Sequence, residues 1–169
     1  DTAIMKIATA TILLAVVLGG VASAQGAGFS QDFTGGSLSY WAVDVEHQRT
    51  FQLSADSNAL RIGYTRTASS LQWDNIHFNP PATVNVSGNP MISLRIKSTV
   101  RTTFSVKPVY QDATSSWIDY TVQGDGVWRT AGLRITGTGD RRITAIYMYL
   151  DGGTTILKSG VVKIDDFRL

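Results

Sequence analysis

Turn-forming residues punctuate this chain so closely that, from Phe29 onward, no helix of ordinary length fits between them. The clusters are Gly35-Gly36, Ser57-Asn58, Asn79-Pro80-Pro81, Ser87-Gly88-Asn89-Pro90, Gly124-Asp125-Gly126, Gly137 to Asp140 and Asp151-Gly152-Gly153. Each supplies residues that tolerate left-handed backbone or fix φ, as a chain reversal requires. Between them lie short apolar or alternating segments: Gln31 to Thr34, Thr50 to Ser54, Ala59 to Thr65, Leu71 to Phe78, Ile92 to Ser98, Thr103 to Tyr110, Trp117 to Val122, Trp128 to Ile135, Ile143 to Leu150 and Val161 to Leu169. Segments of that length and pattern are strands. About ten strands without βαβ alternation predict an all-β domain, a two-sheet antiparallel β-sandwich of the jelly-roll kind rather than a barrel. No internal repeat and no second domain appear, so residues 25–169 form one unit.

Strand parity then separates inside from outside. Ile92, Leu94 and Ile96 share one face, so Arg95 and Lys97 share the other. Ile76 and Phe78 face inward against Trp73, Asn75 and His77. Phe104 and Val106 oppose Ser105 and Lys107, Ile118, Tyr120 and Val122 oppose Trp117 and Asp119, and Ile146, Met148 and Leu150 oppose Tyr147 and Tyr149. The outward set is therefore Trp73, Asn75, His77, Arg95, Lys97, Lys107, Trp117, Asp119, Tyr147 and Tyr149.

A pyranose ring stacks its C–H face on an aromatic ring, and its hydroxyls seek planar polar partners. The outward set is accordingly the candidate ligand-binding site, for a polysaccharide or oligosaccharide. Trp73, Trp117, Tyr147 and Tyr149 would stack, while Asn75, His77, Asp119 and Arg95 would fix orientation. Arg95, Lys97 and Lys107 suit an acidic glycan, or equally three solvated cations. Aromatics are favoured on strands whatever their role, so each ring taken singly also suits plain packing. Trp41 and Trp128, beside a turn and a strand start, are expected in the core.

Composition closes several classes. With 43% hydrophobic and 17% charged residues among 169, the chain is not disordered, and without cysteine it has no disulfide scaffold, Cys-ligated zinc or thiol nucleophile. Its 15 basic and 13 acidic residues are scattered, without the stripe of a nucleic-acid binder.

Met5-Lys6, the apolar run Ile7 to Val21 and the small-x-small ending Ala22-Ser23-Ala24 read as a secretory signal peptide over residues 1–24, cut after Ala24, with residues 1–4 upstream of the expected initiator. An apolar run of this kind falls short of the roughly 20 residues of a stable span, so no stable membrane span is expected after cleavage and the domain is expected outside the cell or in the periplasm. Were the helix retained, the chain would resemble archaeal-type pilins, as an extracellular filament subunit. Met5 stands where bacterial type IV pilins carry an acidic residue.

A family resemblance covers residues 29 to 169. It rests on Phe29-x-x-Asp32-Phe33 with Gly35-Gly36 and Trp41, Phe51-x-Leu53 with Asn58-Ala59-Leu60, Trp73-Asp74-Asn75, Val86 to Pro90 before Ile92 to Ser98, Val127-Trp128, and the ending Gly160 to Leu169. In these features the chain resembles secreted carbohydrate-binding modules with a galactose-binding-like jelly roll. The resemblance implies a non-catalytic module, with an enzyme or a cell surface as a further partner. In the last segment Ile164, Phe167 and Leu169 break strict alternation, which predicts a bulge at Asp165-Asp166. Adjacent carboxylates there need an offsetting charge. The resemblance implies structural calcium joining the first and last strands, with Asp32 and Asp165 as candidate ligands and carbonyls around Asp56 to Asn58 as further donors.

An enzyme would have to draw on the same residues. The one glutamate is Glu46, beside His47, and His47 and His77 are the two histidines, with no Gly-x-Ser-x-Gly elbow. His77, Arg95, Lys97, Lys107, Tyr147 and Tyr149 would suit a small polysaccharide lyase, or the chain an accessory domain of a hydrolase.

Overall fold

The computed structural model describes residues 28–136 and 141–169. The expected signal peptide over 1–24 and the Gly137 to Asp140 turn lie outside the described residues. The described strands are β1 (Ser30–Gln31), β2 (Trp41–Ala42), β3 (Phe51–Ala55), β4 (Leu60–Arg66), β5 (Ile76–Phe78), β6 (Val84–Asn85), β7 (Met91–Ser98), β8 (Thr102–Tyr110), β9 (Ile118–Val122), β10 (Arg129–Arg134), β11 (Arg142–Leu150) and β12 (Lys158–Arg168). Two short 3-10 turns, Thr34–Gly36 and Val45–His47, interrupt them, and among the described residues no helix is long and apolar enough to cross a membrane.

The strands form two antiparallel sheets. The first runs β10-β7-β12-β4-β3 with β1 paired to β12, and the second runs β2-β5-β11-β8-β9 with β6 paired to β11. The all-β sandwich expected from the punctuation is the fold observed. Alternation explains it strand by strand. In β7, Ile92, Leu94 and Ile96 are fully buried while Ser93, Arg95 and Lys97 are half-exposed. Facing them across the core are Phe104 and Val106 of β8 and Ile146 and Met148 of β11.

One end of the sandwich is closed by rings. Phe78 and Phe167 lie 4.9 Å apart and Trp41 lies 5.1 Å from each, with its indole N–H donated to Gln31 Oε1 at 2.9 Å. Trp41 is thus core, as expected. Trp128 is not: it is half-exposed at the start of β10, for a reason that appears below.

Two strand expectations change. Leu71 to Phe78 is strand only over Ile76–Phe78, because the fully buried Asp74 turns the preceding residues into a loop, its carboxylate accepting the Leu71 N–H at 3.0 Å. The last strand starts at Lys158 and carries the expected bulge, its register against β7 shifting between Asp165 and Arg168. Asp166 takes φ 47°, and both Ile164 and Phe167 remain fully buried.

Candidate ligand-binding face

The outer face of the second sheet is assembled from rows of side chains that cross the strands. One row runs from Ala42 to His77, to Tyr147 and to Lys107, each directly opposite the next. Val106 opposite Ile118 extends it to Trp117. Two residues along, Tyr149 stands opposite Ser105 and Ser105 opposite Asp119. Strands β5, β11, β8 and β9 therefore gather eight of the ten predicted residues, Trp73 and Asn75 joining from the loop before β5.

Trp73 belongs to that loop and is held from both sides. Asp74 beneath it accepts His47 Nδ1–H at 2.7 Å, the Leu71 N–H and the Thr50 hydroxyl. Beside it, Gln72 and Gly153 exchange hydrogen bonds of 2.9 Å, backbone N–H to carbonyl in one direction and side-chain amide to carbonyl in the other. The indole then lies on the Gly152-Gly153 backbone. A Cβ on Gly153 would come within 2.8 Å of the ring, and this glycine sits at φ 73°, where a side chain is strained in any case. Arg66, buried beneath, donates to the carbonyls of Leu71 and Thr154 at 3.1 and 3.0 Å, tying the two loops together.

Three rings meet above this base. Trp73 lies 5.7 Å edge-on to Trp117 and 5.9 Å edge-on to Tyr149, and Trp117 lies 5.0 Å from Tyr149 at 35°. Trp73 is 51% and Trp117 42% exposed, so two large apolar rings stay in solvent on a sheet whose other face is fully covered. Tyr149 is only 8% exposed and forms the floor rather than a free platform. Burial, and then the neighbouring Tyr147, push its hydroxyl above the usual phenol range. Tyr147 sits half-buried 6.2 Å from the His77 ring.

The polar groups are set with the same economy. Asp119 Oδ1 accepts both the Trp117 indole N–H at 2.8 Å and the Ser105 hydroxyl at 2.6 Å. Asn75 donates its amide N–H to His47 Nε2 at 3.1 Å, while its Oδ1 is buried with no hydrogen-bond partner. His77 Nδ1 is likewise buried and unpartnered, with Asp44 3.8 Å away. Buried polar atoms without partners are rare, and two of them here lie along one edge of the ring cluster. His47 Nδ1–H donates to the Asp74 carboxylate, and Nε2 lies between the Asn75 amide at 3.1 Å and the Glu46 carboxylate at 3.4 Å. The sequence offers His47 only as a histidine for an enzyme, because it sits in a loop-like stretch with no periodicity to assign it to this face. It acts as a buried strut between Asp74 and Asn75, with both nitrogens engaged.

Arg95 and Lys97 do not belong to this face. They lie on β7 in the first sheet, on the opposite surface of the sandwich, where Trp128 lies 5.1 Å from the Arg95 guanidinium and 4.7 Å from Lys97 Nζ. These contacts keep Trp128 out of the core. The predicted group of three cations is thus divided, Lys107 on one face and the other two on the other.

The expected calcium ligands are divided as well. Asp32 lines a cleft with Ser30, Gln31, Asp166 and Arg168, so Asp166, and not Asp165, is the carboxylate brought to it. The bulge accounts for this by turning Asp165 outward opposite Arg95, whose guanidinium reaches it at 3.4 Å. Asp166 faces Arg95 at 3.9 Å and Arg168 at 3.7 Å, while Asp32 accepts the Thr34 N–H, which lowers its pKa. Asp56, at the turn expected to add carbonyl donors, is bound to Lys163 at 2.6 Å. Guanidinium groups supply the offsetting charge at the bulge, and the residues present do not fit the oxygen-rich shell of six to eight ligands that calcium takes.

The sequence matches no protein-family model and no curated protein. Solved structures do match it. An exo-beta-agarase superposes with a TM-score of 0.57 at 12% identity over 82% of this chain and 24% of that one. An agarase gives 0.54 at 9% identity over 77% and 22%, and a variant of a carbohydrate-binding module of family 29 gives 0.51 at 10% over 70% and 74%. The chain spans less than a quarter of either agarase. At these identities the likeness is one of fold: the chain has the β-sandwich fold of a carbohydrate-binding module.

Proposed function

We propose that this chain is a secreted, non-catalytic module that binds a polysaccharide along the outer face of its second sheet. The observation that carries the proposal is the cluster of Trp73, Trp117 and Tyr149, in which two exposed indoles are held over a buried phenol. Sugar rings stack on Trp117 and Trp73. Asp119, hydrogen-bonded through Oδ1, offers Oδ2 to a hydroxyl. Tyr147 and Lys107 continue the row along which the polymer lies. The carbohydrate-binding module and agarases of similar fold support a carbohydrate as ligand, and the apolar N-terminal run supports export. The engagement of both His47 nitrogens favours binding over acid–base catalysis.

Gel retardation in a panel of neutral polysaccharides, agarose among them, tests the proposal. Trp117→Ala and Trp73→Ala are each expected to weaken retardation about tenfold, the worth of one stacking contact. Absence of retardation by every polymer, or retardation unchanged in both folded variants, would refute it.

A further inference from the structure

The first sheet also presents an outer face, and its charges are arranged against ordinary sheet practice. Lys97 of β7 stands directly opposite Lys163 of β12, and Lys163 directly opposite Arg61 of β4. Like charges in register oppose folding. Among the described residues Asp56 reaches this row, bound to Lys163 at 2.6 Å and lowered in pKa first by that bond. Trp128 closes the row at the β10 side, with Lys97 4.7 Å from its ring centre and Arg95, from the next row, at 5.1 Å. At the other side, Gly63 leaves room for a guanidinium, since a Cβ there would lie 3.3 Å from Arg61 Nη1. The cations are therefore laid against the sheet rather than spread into solvent, and strand spacing sets the backbone positions that carry them about 5 Å apart.

We infer that this face is a second binding surface, for an anionic polysaccharide whose carboxylates or sulfates meet Lys97, Lys163 and Arg61 in turn. An extended acidic polymer supplies one anion after another along a line, as the row requires, and each anion relieves the repulsion between neighbouring cations. Trp128 orients Arg95 and Lys97 through their contact with its ring and adds an apolar edge for the sugar. This surface is independent of the aromatic face, which lies on the other sheet.

The test is retardation of the chain in gels containing polygalacturonate or a sulfated galactan, each compared with a polymer-free gel to cancel the change in net charge. The parent is expected to be retarded by at least one of the two, which also tells carboxylate from sulfate recognition, and added salt should weaken the effect. Lys97→Gln with Lys163→Gln is expected to lose about tenfold in affinity for the acidic polymer at an unchanged melting temperature, and Trp117→Ala to lose none. Loss of acidic-polymer binding in Trp117→Ala, its persistence in the double variant, or equal retardation by polyglutamate would overturn the inference. Neutral polymers report on the aromatic face alone, so either surface can fail without the other.

Discussion

Tyr64 illustrates what a single buried side chain contributes and when. Its ring is 2% exposed, its buried hydroxyl lies beside Thr102 without a hydrogen bond of good geometry, and burial above all pushes its pKa up to about 12. In the unfolded chain the same phenol ionises near 10. Between those values the folded state keeps a proton that the unfolded state has lost, so stability is whole below pH 10 and declines as pH rises toward 12. Tyr149, also raised by burial, adds to the decline. Tyr64→Phe removes an unsatisfied hydroxyl and is expected to be as stable as the parent at pH 7 or slightly more so, with a shallower fall above pH 10. Urea midpoints measured from pH 8 to 12 check this, and a clear loss at pH 7 would contradict it. At this scale much was legible in advance. Alternation places Ile92, Leu94 and Ile96 inside and His77, Tyr147 and Trp117 outside, because period 2 is a local property of the backbone. It does not say which sheet a strand joins, and so Arg95 and Lys97 were grouped with Lys107. Trp128 was read as a plug because nothing local marks an indole that carries two cations.

Among the elements, β12 shows how one irregularity redistributes chemistry. The break in alternation at Asp165-Asp166 was visible in the sequence, but which carboxylate the bulge would turn toward Asp32 was not, since a bulge shifts every later residue by one. Asp166 holds φ 47°, a conformation costly for a residue with a Cβ. Deleting Asp166 would restore strict alternation with Phe167 still facing inward, so the weight of the ring itself is tested by Phe167→Ala, expected to cost about 3–5 kcal/mol, the scale of losing a buried aromatic. Asp166→Gly keeps the bulge, relieves the backbone and gives up only long, partly exposed ion pairs, so it should stay within about 1 kcal/mol of the parent. Equilibrium unfolding of Phe167→Ala and Asp166→Gly side by side distinguishes them, and equal destabilisation would mean the Asp166 carboxylate matters as much as the buried ring. The loop before β5 was misread as strand for a related reason: the apolar residues Leu71 and Trp73 fit a period of 2, yet the structure is governed by the burial of Asp74 between them and Asn75.

For the molecule as a whole, the joint between first and last strands is a backbone ladder, Ser30 paired with Arg168 and Gln31 with Phe167, and the carboxylates beside it are engaged by protein groups. Arg95 and Arg168 face Asp165 and Asp166, and Asp32 is engaged by Thr34, so chelator or added calcium is expected to leave the melting temperature unchanged. A rise of several degrees with calcium would show a cation seat that these contacts do not provide. The sandwich keeps its two outer faces on separate sheets, so a substitution on one face is expected not to alter the other. The place of β12 has a consequence for how the chain reaches this state. It pairs with β7 on one side and β4 on the other, and β1 pairs with it in turn. Until it enters, β10-β7 and the β3-β4 hairpin are two separate strand pairs with open inner edges, and the first sheet does not exist. The strand that joins them is the last of the described strands, so assembly of this sheet must wait for contacts of long sequence separation. Such long-range closure is slow, and it leaves those edges open to pairing with other chains until β12 is in place.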